Sequence, residues 1–188
     1  APVVAEYKEA GCRVIAAASA WRIANMLRDD LAVEARATAS WIARLQGGEN
    51  VLDNRTVLIV DEAGLLSSRE MHALLGAVSG AGAKIVLVGD RQQLQAIGAG
   101  PGLDLVTRAV EAARVSNIIR QRDPWAREAI TEFGQGRAAE ALARFAEHDL
   151  LIEAEGAQAA INATVDIAES YQAEHSAETS LILAKSNS

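Results

Sequence analysis

The sequence predicts an α/β chain, built from parallel sheets with helices on both faces. Three observations predict it. Thr56–Val60 (TVLIV) and Lys84–Val88 (KIVLV) are short apolar runs without polar alternation, the pattern of strands buried on both faces. Segments with apolar residues at helical spacing lie between and around them. Strand and helix alternate along the chain, which favours parallel pairing through crossover helices.

Taken in order, residues 2–10 read as the end of an amphipathic helix closed by Gly11. Arg13–Ala18 is a short apolar strand, and Ala20, Ile23, Ala24 and Leu27 come next at helical spacing. Residues 39–46 form a short helix stopped by Gly47 and Gly48. After the TVLIV strand, Ser67 and Glu70 make a capping-box pattern that opens a helix to about Val78, ended by Gly80 and Gly82. After KIVLV, residues 89–102 are rich in Gly and Gln and read as a loop. The second half alternates more weakly. Val115–Ile119 reads as a strand, Asp123 and Pro124 as N-cap and first residue of a helix to Phe133, and 137–147 as a further helix. Asp149–Glu153 and Ser180–Ala184 read as strands around a long helix near 157–174.

Half of the 188 residues are hydrophobic, so a sizeable core can form, but only 4% are aromatic, so that core is aliphatic. Lys and Arg number 18 against 25 Asp and Glu, and 18 − 25 = −7 leaves no broad basic surface. Contact with nucleic acid must then rest on a few placed arginines. The single Cys12 excludes a disulfide framework and a cysteine zinc site; it fits a reducing, cytoplasmic setting and reads as a small buried hydrophobe beside a strand. His72, His148 and His175 lack metal-ligand spacing and read as surface residues. No apolar run approaches the ~20 residues of a membrane span, and the first residues show neither the basic nor the apolar region of a signal peptide. None of the three lysines, Lys8, Lys84 and Lys185, follows a glycine, so the chain contains no G-x-x-x-x-G-K-[ST] phosphate loop.

Two constellations carry chemistry. LIVDEAG puts Asp61 and Glu62 where an apolar strand ends, and ligands of open α/β sheets bind outside the carboxyl ends of strands. Hard carboxylate oxygens suit Mg²⁺, and the second acid can orient or deprotonate a water. The plain alternative is a strand end turning into solvent. In KIVLVGDRQQLQAIGAG a strand runs into Gly89 and Asp90, then Gln92, Gln93 and Gln95. Asp90 shares an edge with Asp61 if the two strands are parallel. A glutamine can donate to a phosphate oxygen and accept from a water.

Asp61-Glu62-Ala63-Gly64 resembles a Walker B box, and Gly89-Asp90-Arg91-Gln92-Gln93-Leu94 resembles motif III of superfamily 1 helicases. Together they resemble RecD-like helicases, and in particular the helicase portion of conjugative-transfer relaxases of the TraA type. RVIAAASAWRIANML is similar to the segment that includes motif Ia, NIIRQRDPWAREAI to the motif IV region, and SLILAKSN to a segment of the second motor domain. The resemblance implies two partial P-loop NTPase domains of the RecA-like type, residues 1–108 and 109–188, acting with ATP and Mg²⁺ on single-stranded DNA within the conjugative-transfer machinery. It implies Asp61 on the metal, Glu62 on the water, Asp90 and Gln93 at the nucleotide, and Arg120 as an arginine finger. It assigns DNA contact to segment 19–28 and loop 94–102, with Arg22, Arg28 and Arg91 as candidates. The bland reading of Arg120 and of its neighbour Arg122 is a surface arginine on helix carbonyls or Asp123. Trp21, Trp41 and Trp125 can stack on bases, but the apolar neighbours of Trp21 and Trp41 favour packing.

The family's phosphate loop is expected upstream of Ala1, a relaxase domain further upstream, and motifs V and VI after Ser188. The strand Lys84–Val88 is then expected at an exposed apolar edge. The readings from other classes are a non-catalytic module that binds DNA or a protein, and a different P-loop ATPase.

Overall fold

The computed structural model describes residues 2–90, 98–113, 115, 121–176 and 181–183. The chain divides into two compact units, Ala1–Val115 and Ser116–Ser188. In the first, β1 (Arg13–Ala18), β2 (Glu34–Ala37), β3 (Thr56–Val60) and β4 (Lys84–Leu87) make one parallel sheet in the order β2-β1-β3-β4. The helices are α1 (Pro2–Glu9), α2 (Trp21–Leu31), α3 (Thr38–Gln46), α4 (Ser68–Gly80) and α5 (Gly102–Ala109).

The apolar strands serve both faces because alternate side chains point to opposite sides. Ile15, Ala17, Leu58 and Val60 lie under Trp41 of α3, Leu74 and Val78 of α4 and Leu103 of α5. Val14, Ala16, Ala18, Val57 and Ile59 lie against Val4 of α1 and Ala24 of α2. Trp41 fills the first face and satisfies its indole N–H on the Ala16 carbonyl at 2.8 Å, as a buried tryptophan must. Gly11 closes α1 at φ 74°, a region that favours glycine. The capping box forms as expected: the Glu70 amide donates to Ser67 Oγ, and the Ser67 amide donates to Glu70 Oε2 at 2.9 Å. Cys12 is half-buried and packs on the second face.

Several expectations fail. β2, EARA, is absent from the sequence reading because alanines and charges do not read as a strand. It forms as an outer strand whose Ala35 and Ala37 are buried, while Glu34 bonds Arg36 at 3.0 Å on the solvent side. α5 emerges from what reads as the end of a loop. Trp21 does not pack: it is 51% exposed at the start of α2. β4 is at the sheet edge as expected, with Ile85, Val86 and Leu87 half-buried and Val88 exposed.

In the second unit the described residues form α6 (Pro124–Gly134), α7 (Ala138–Glu147) and α8 (Ala157–Glu174). The strand expected at Asp149–Glu153 is not formed. Leu150, Leu151 and Ile152 are exposed, and without a partner strand their apolar run has no ladder to join. Leu181–Leu183 are not in a strand either, and neither is Val115; the remainder of those two expected strands lies outside the described residues. Asp123 and Pro124 do begin α6, but the Asp123 side chain makes no capping bond. Trp125 stacks on His148 at 4.0 Å and meets Phe145 edge-on at 5.4 Å, which joins α6 to α7. The same pair is held by Glu132, whose carboxylate accepts from Arg144 Nε and Nη2 at 2.8 and 3.0 Å and lies 3.6 Å from Arg137.

The Arg144 hydrogen bond, with the charges of Arg144 and Arg137, holds the Glu132 carboxyl below the ordinary carboxylate range, against a smaller opposing effect of desolvation. Its folded value is below its unfolded one, so its contribution is present above the unfolded value and is lost as pH falls through the folded value. Protection of the α6 and α7 amides, taken as exchange relative to the intrinsic rate at each pH, is therefore expected to fall as pH drops below the ordinary carboxylate range. Glu132→Gln is expected to show faster exchange at neutral pH and a weaker acid dependence.

Candidate functional site

Parallel pairing brings the carboxyl ends of the strands to one edge, in the order of the sheet. Ser19 follows β1, Asp61 and Glu62 follow β3, and Val88, Gly89 and Asp90 follow β4. The backbone beyond β3 is bonded to both neighbours. The Asp61 amide donates to the Ala17 carbonyl at 2.9 Å, and the Ala63 amide to the Val88 carbonyl at 2.8 Å. Glu62 takes the left-handed conformation, φ 51° and ψ 39°, and leads into a short 3₁₀ helix, Ala63–Leu65. For a residue with a Cβ that conformation costs ~1–2 kcal/mol and persists only where the surroundings enforce it.

Glycines let the two strand ends touch. A Cβ on Gly64 would lie 2.9 Å from the Asp90 carbonyl oxygen, and one on Gly89 would lie 2.9 Å from the Gly64 nitrogen. Beyond residues 91–97 the chain returns against the cap of α4. The Ser68 amide donates to the carbonyls of Ala99 and Gly100, and a Cβ on Gly98 would lie 2.7 Å from that of Ser67. Gly98, Gly100 and Gly102, within the stretch that reads as a loop, are closely packed against residues 66–71.

Asp61 is half-buried and Glu62 exposed. Asp61 Oδ1 accepts from the Glu62 amide at 2.9 Å, and Glu62 Oε2 accepts from Ser19 Oγ at 3.0 Å. Ser19 is the residue that sequence reasoning missed. Its only signal is a hydroxyl directly after an apolar strand. Among the described residues no group of three or more His, Cys, Asp or Glu side chains can hold a metal. Asp61 alone fits a hard divalent ion such as Mg²⁺, which completes its shell with waters and phosphate oxygens. The sequence offers those phosphates no G-x-x-x-x-G-K-[ST] cradle.

Of the other candidates, Arg91, Gln93 and Arg120 lie outside the described residues. Arg22 is exposed on the first turn of α2. Arg28, on the last turn, is paired with Asp29 at 3.3 Å. Arg122 is exposed before α6. No helix among the described residues is long and apolar enough to cross a membrane.

A parallel sheet with acids at its carboxyl edge and helices on both faces defines a P-loop-type α/β domain. The chain belongs to the AAA domain family, whose model matches residues 1–156. It is similar to the conjugal transfer protein TraA of Agrobacterium fabrum, 40% identical over 136 residues, which is 72% of this chain and 12% of that protein. It is 37% identical to the conjugal transfer protein TraA of Rhizobium radiobacter over the same shares of each chain. A probable conjugal transfer protein TraA of Sinorhizobium fredii is 32% identical over 95% of this chain and 16% of its own length. The motif resemblance to TraA-type proteins is thus borne out, and the chain spans between 12% and 16% of the length of these relatives.

The contact between strand ends makes Gly64 intolerant of a side chain. Gly64→Ala is expected to lower stability by about 1–3 kcal/mol, because the Asp90 backbone must shift. Gly76→Ala, on α4 with open space around it, is expected to raise stability by up to about 1 kcal/mol. Chemical denaturation of the two variants checks both.

Proposed function

We propose that the chain is the nucleotide-hydrolysing core region of an ATP-driven DNA motor in conjugative transfer, within a longer polypeptide of TraA type. The observation that supports this best is the meeting of Asp61-Glu62 and Gly89-Asp90 at the ends of parallel neighbours. When bound with ATP, Mg²⁺ would neutralise charge on the phosphate oxygens. Asp61 would hold that ion through its carboxylate, directly or through water. Glu62 would orient the attacking water and accept its proton. Asp90 and Gln93 would line the nucleotide on the β4 side, with Gln93 linking the terminal phosphate to the adjoining loop. Arg120 would stabilise charge that develops on the phosphate. Single-stranded DNA would be held near residues 19–28 and 94–102, with Arg22, Arg28 and Arg91 on its phosphates. The polypeptide would act in the cytoplasm.

The second reading is a binding module without catalysis, which the lack of a phosphate-loop lysine in the full-length polypeptide would favour. Hydrolysis separates the two. The chain alone is expected to turn over ATP at least about 100-fold more slowly than the full-length polypeptide, since the main ligands of the β- and γ-phosphates are missing. In the full-length polypeptide Glu62→Gln is expected to abolish turnover. A full-length polypeptide that binds DNA but hydrolyses nothing would establish the binding module.

The net charge of −7 repels a polyanion, so affinity for DNA must come from local arginines. Binding of a labelled single strand by the chain is expected to be weak and to fade as salt rises, with a slope of roughly −0.7 per phosphate contact. Titration at two salt concentrations measures it. Binding that survives high salt would instead point to base stacking, for which Trp21 is available.

A further inference from the structure

We propose that Arg127 is a positioning residue whose guanidinium fixes the Gln121 carbonyl, and with it the stretch of chain that joins Arg120 to α6. This rests on the reading of Arg120 as the residue that stabilises charge on the phosphate.

α6 begins without a side-chain cap. Asp123 stands at its N-cap position but makes no capping bond, and Pro124, the first helical residue, has no amide hydrogen to satisfy. The Arg127 amide closes the first turn on the Asp123 carbonyl at 3.2 Å. The Arg127 side chain reaches further back, and its Nη1 donates to the Gln121 carbonyl at 3.4 Å, six positions earlier. Gln121 and Arg127 are both half-buried. Among the described residues Gln121 and Arg122 make no other hydrogen bond. What holds the approach to α6 is this one side chain.

Two features set Arg127 apart from an ordinary surface charge. The first is its place in the helix. The amino end of a helix carries partial positive charge, which disfavours a cation there. Arg127 is the fourth residue of α6, so helix stability alone does not select it. The second is its partner. Arg127 lines a concave surface with Glu128, Glu132, Arg137 and Arg144. Arg144 pairs with both Glu128 and Glu132, and Arg137 lies beside Glu132. Among the described residues Arg127 pairs with no carboxylate and serves a backbone carbonyl instead. Gln121, which owns that carbonyl, directly follows Arg120 in the chain. A group that acts on a phosphate must be held close to its productive position by neighbours that are themselves fixed. A planar guanidinium suits that task, because its donors point in set directions.

The test is single-turnover hydrolysis of ATP by the full-length polypeptide, which resolves slow chemistry from binding. Arg127→Met is expected to lower the rate at saturating ATP about fivefold, the effect of one modest hydrogen bond, and to leave the affinity for ATP within about twofold. On an Arg120→Ala background the same substitution is expected to cost nothing further, because the group it positions is gone. A merely structural lesion costs the same on both backgrounds. The 188-residue chain with Arg127→Met is expected to be at least as stable to denaturant as the unsubstituted chain, because a cation leaves the amino end of α6. An equal loss on the two backgrounds, a loss confined to ATP affinity, a rate unchanged by Arg127→Met, or a destabilised chain overturns the proposal. A rate unchanged by Arg120→Ala overturns the reading of Arg120 itself.

Discussion

The arrangement depends on the backbone stitching at the end of β3. Asp61 bonds back to β1 and Ala63 bonds across to β4, so the two acids leave the sheet at a point fixed from both sides. A peptide N–H or C=O deprived of such a partner in a buried setting is costly, and strand ends are where partners run out. Here each neighbour supplies one. The left-handed turn at Glu62 is tolerated because its flanking amides are already committed. The acids inherit their position from this pairing and not from contacts of their own.

Much of this was legible in the sequence. TVLIV and KIVLV are apolar without alternation because helices cover both faces. That pattern also implies parallel pairing, and with it a common edge for the residues just past each strand. The Ser67–Glu70 box was legible because its bonds are local. The features that were not legible depend on tertiary neighbours. EARA becomes a strand only because β1 offers it a ladder. Trp21 opens a helix beside Ile23 and Ala24, yet its position on the first turn leaves it beyond the cover those residues receive. The apolar run at 150–152 has strand composition, but among the described residues of its unit no strand forms for it to join. Ser19 gives little sequence signal beyond a hydroxyl after an apolar strand, because its partner is 43 positions away.

The second unit shows another way to place charge. Glu132 is only 5% exposed, and it is tolerated there because Arg144 meets it with a two-point fork while Arg137 stands nearby. The concave surface these residues line has an internal volume of about 570 Å³ and three arginines. The donors that Arg144 brings to it already serve Glu128 and Glu132. Such a surface is a brace for the α6–α7 pair more than an invitation to an anion.

The glycines at the strand ends bear on how such a site can change over generations. At Gly64, Gly89, Gly98 and Gly102 even a methyl group meets another part of the chain, backbone or helix cap, within about the distance real contacts avoid. Drift at these four positions is closed off by geometry, whatever the substrate. Divergence has to be taken up where side chains face open space, as along the solvent side of α2. Two descendants of one ancestor could then differ widely along that helix face while sharing the same contacts beneath their acids.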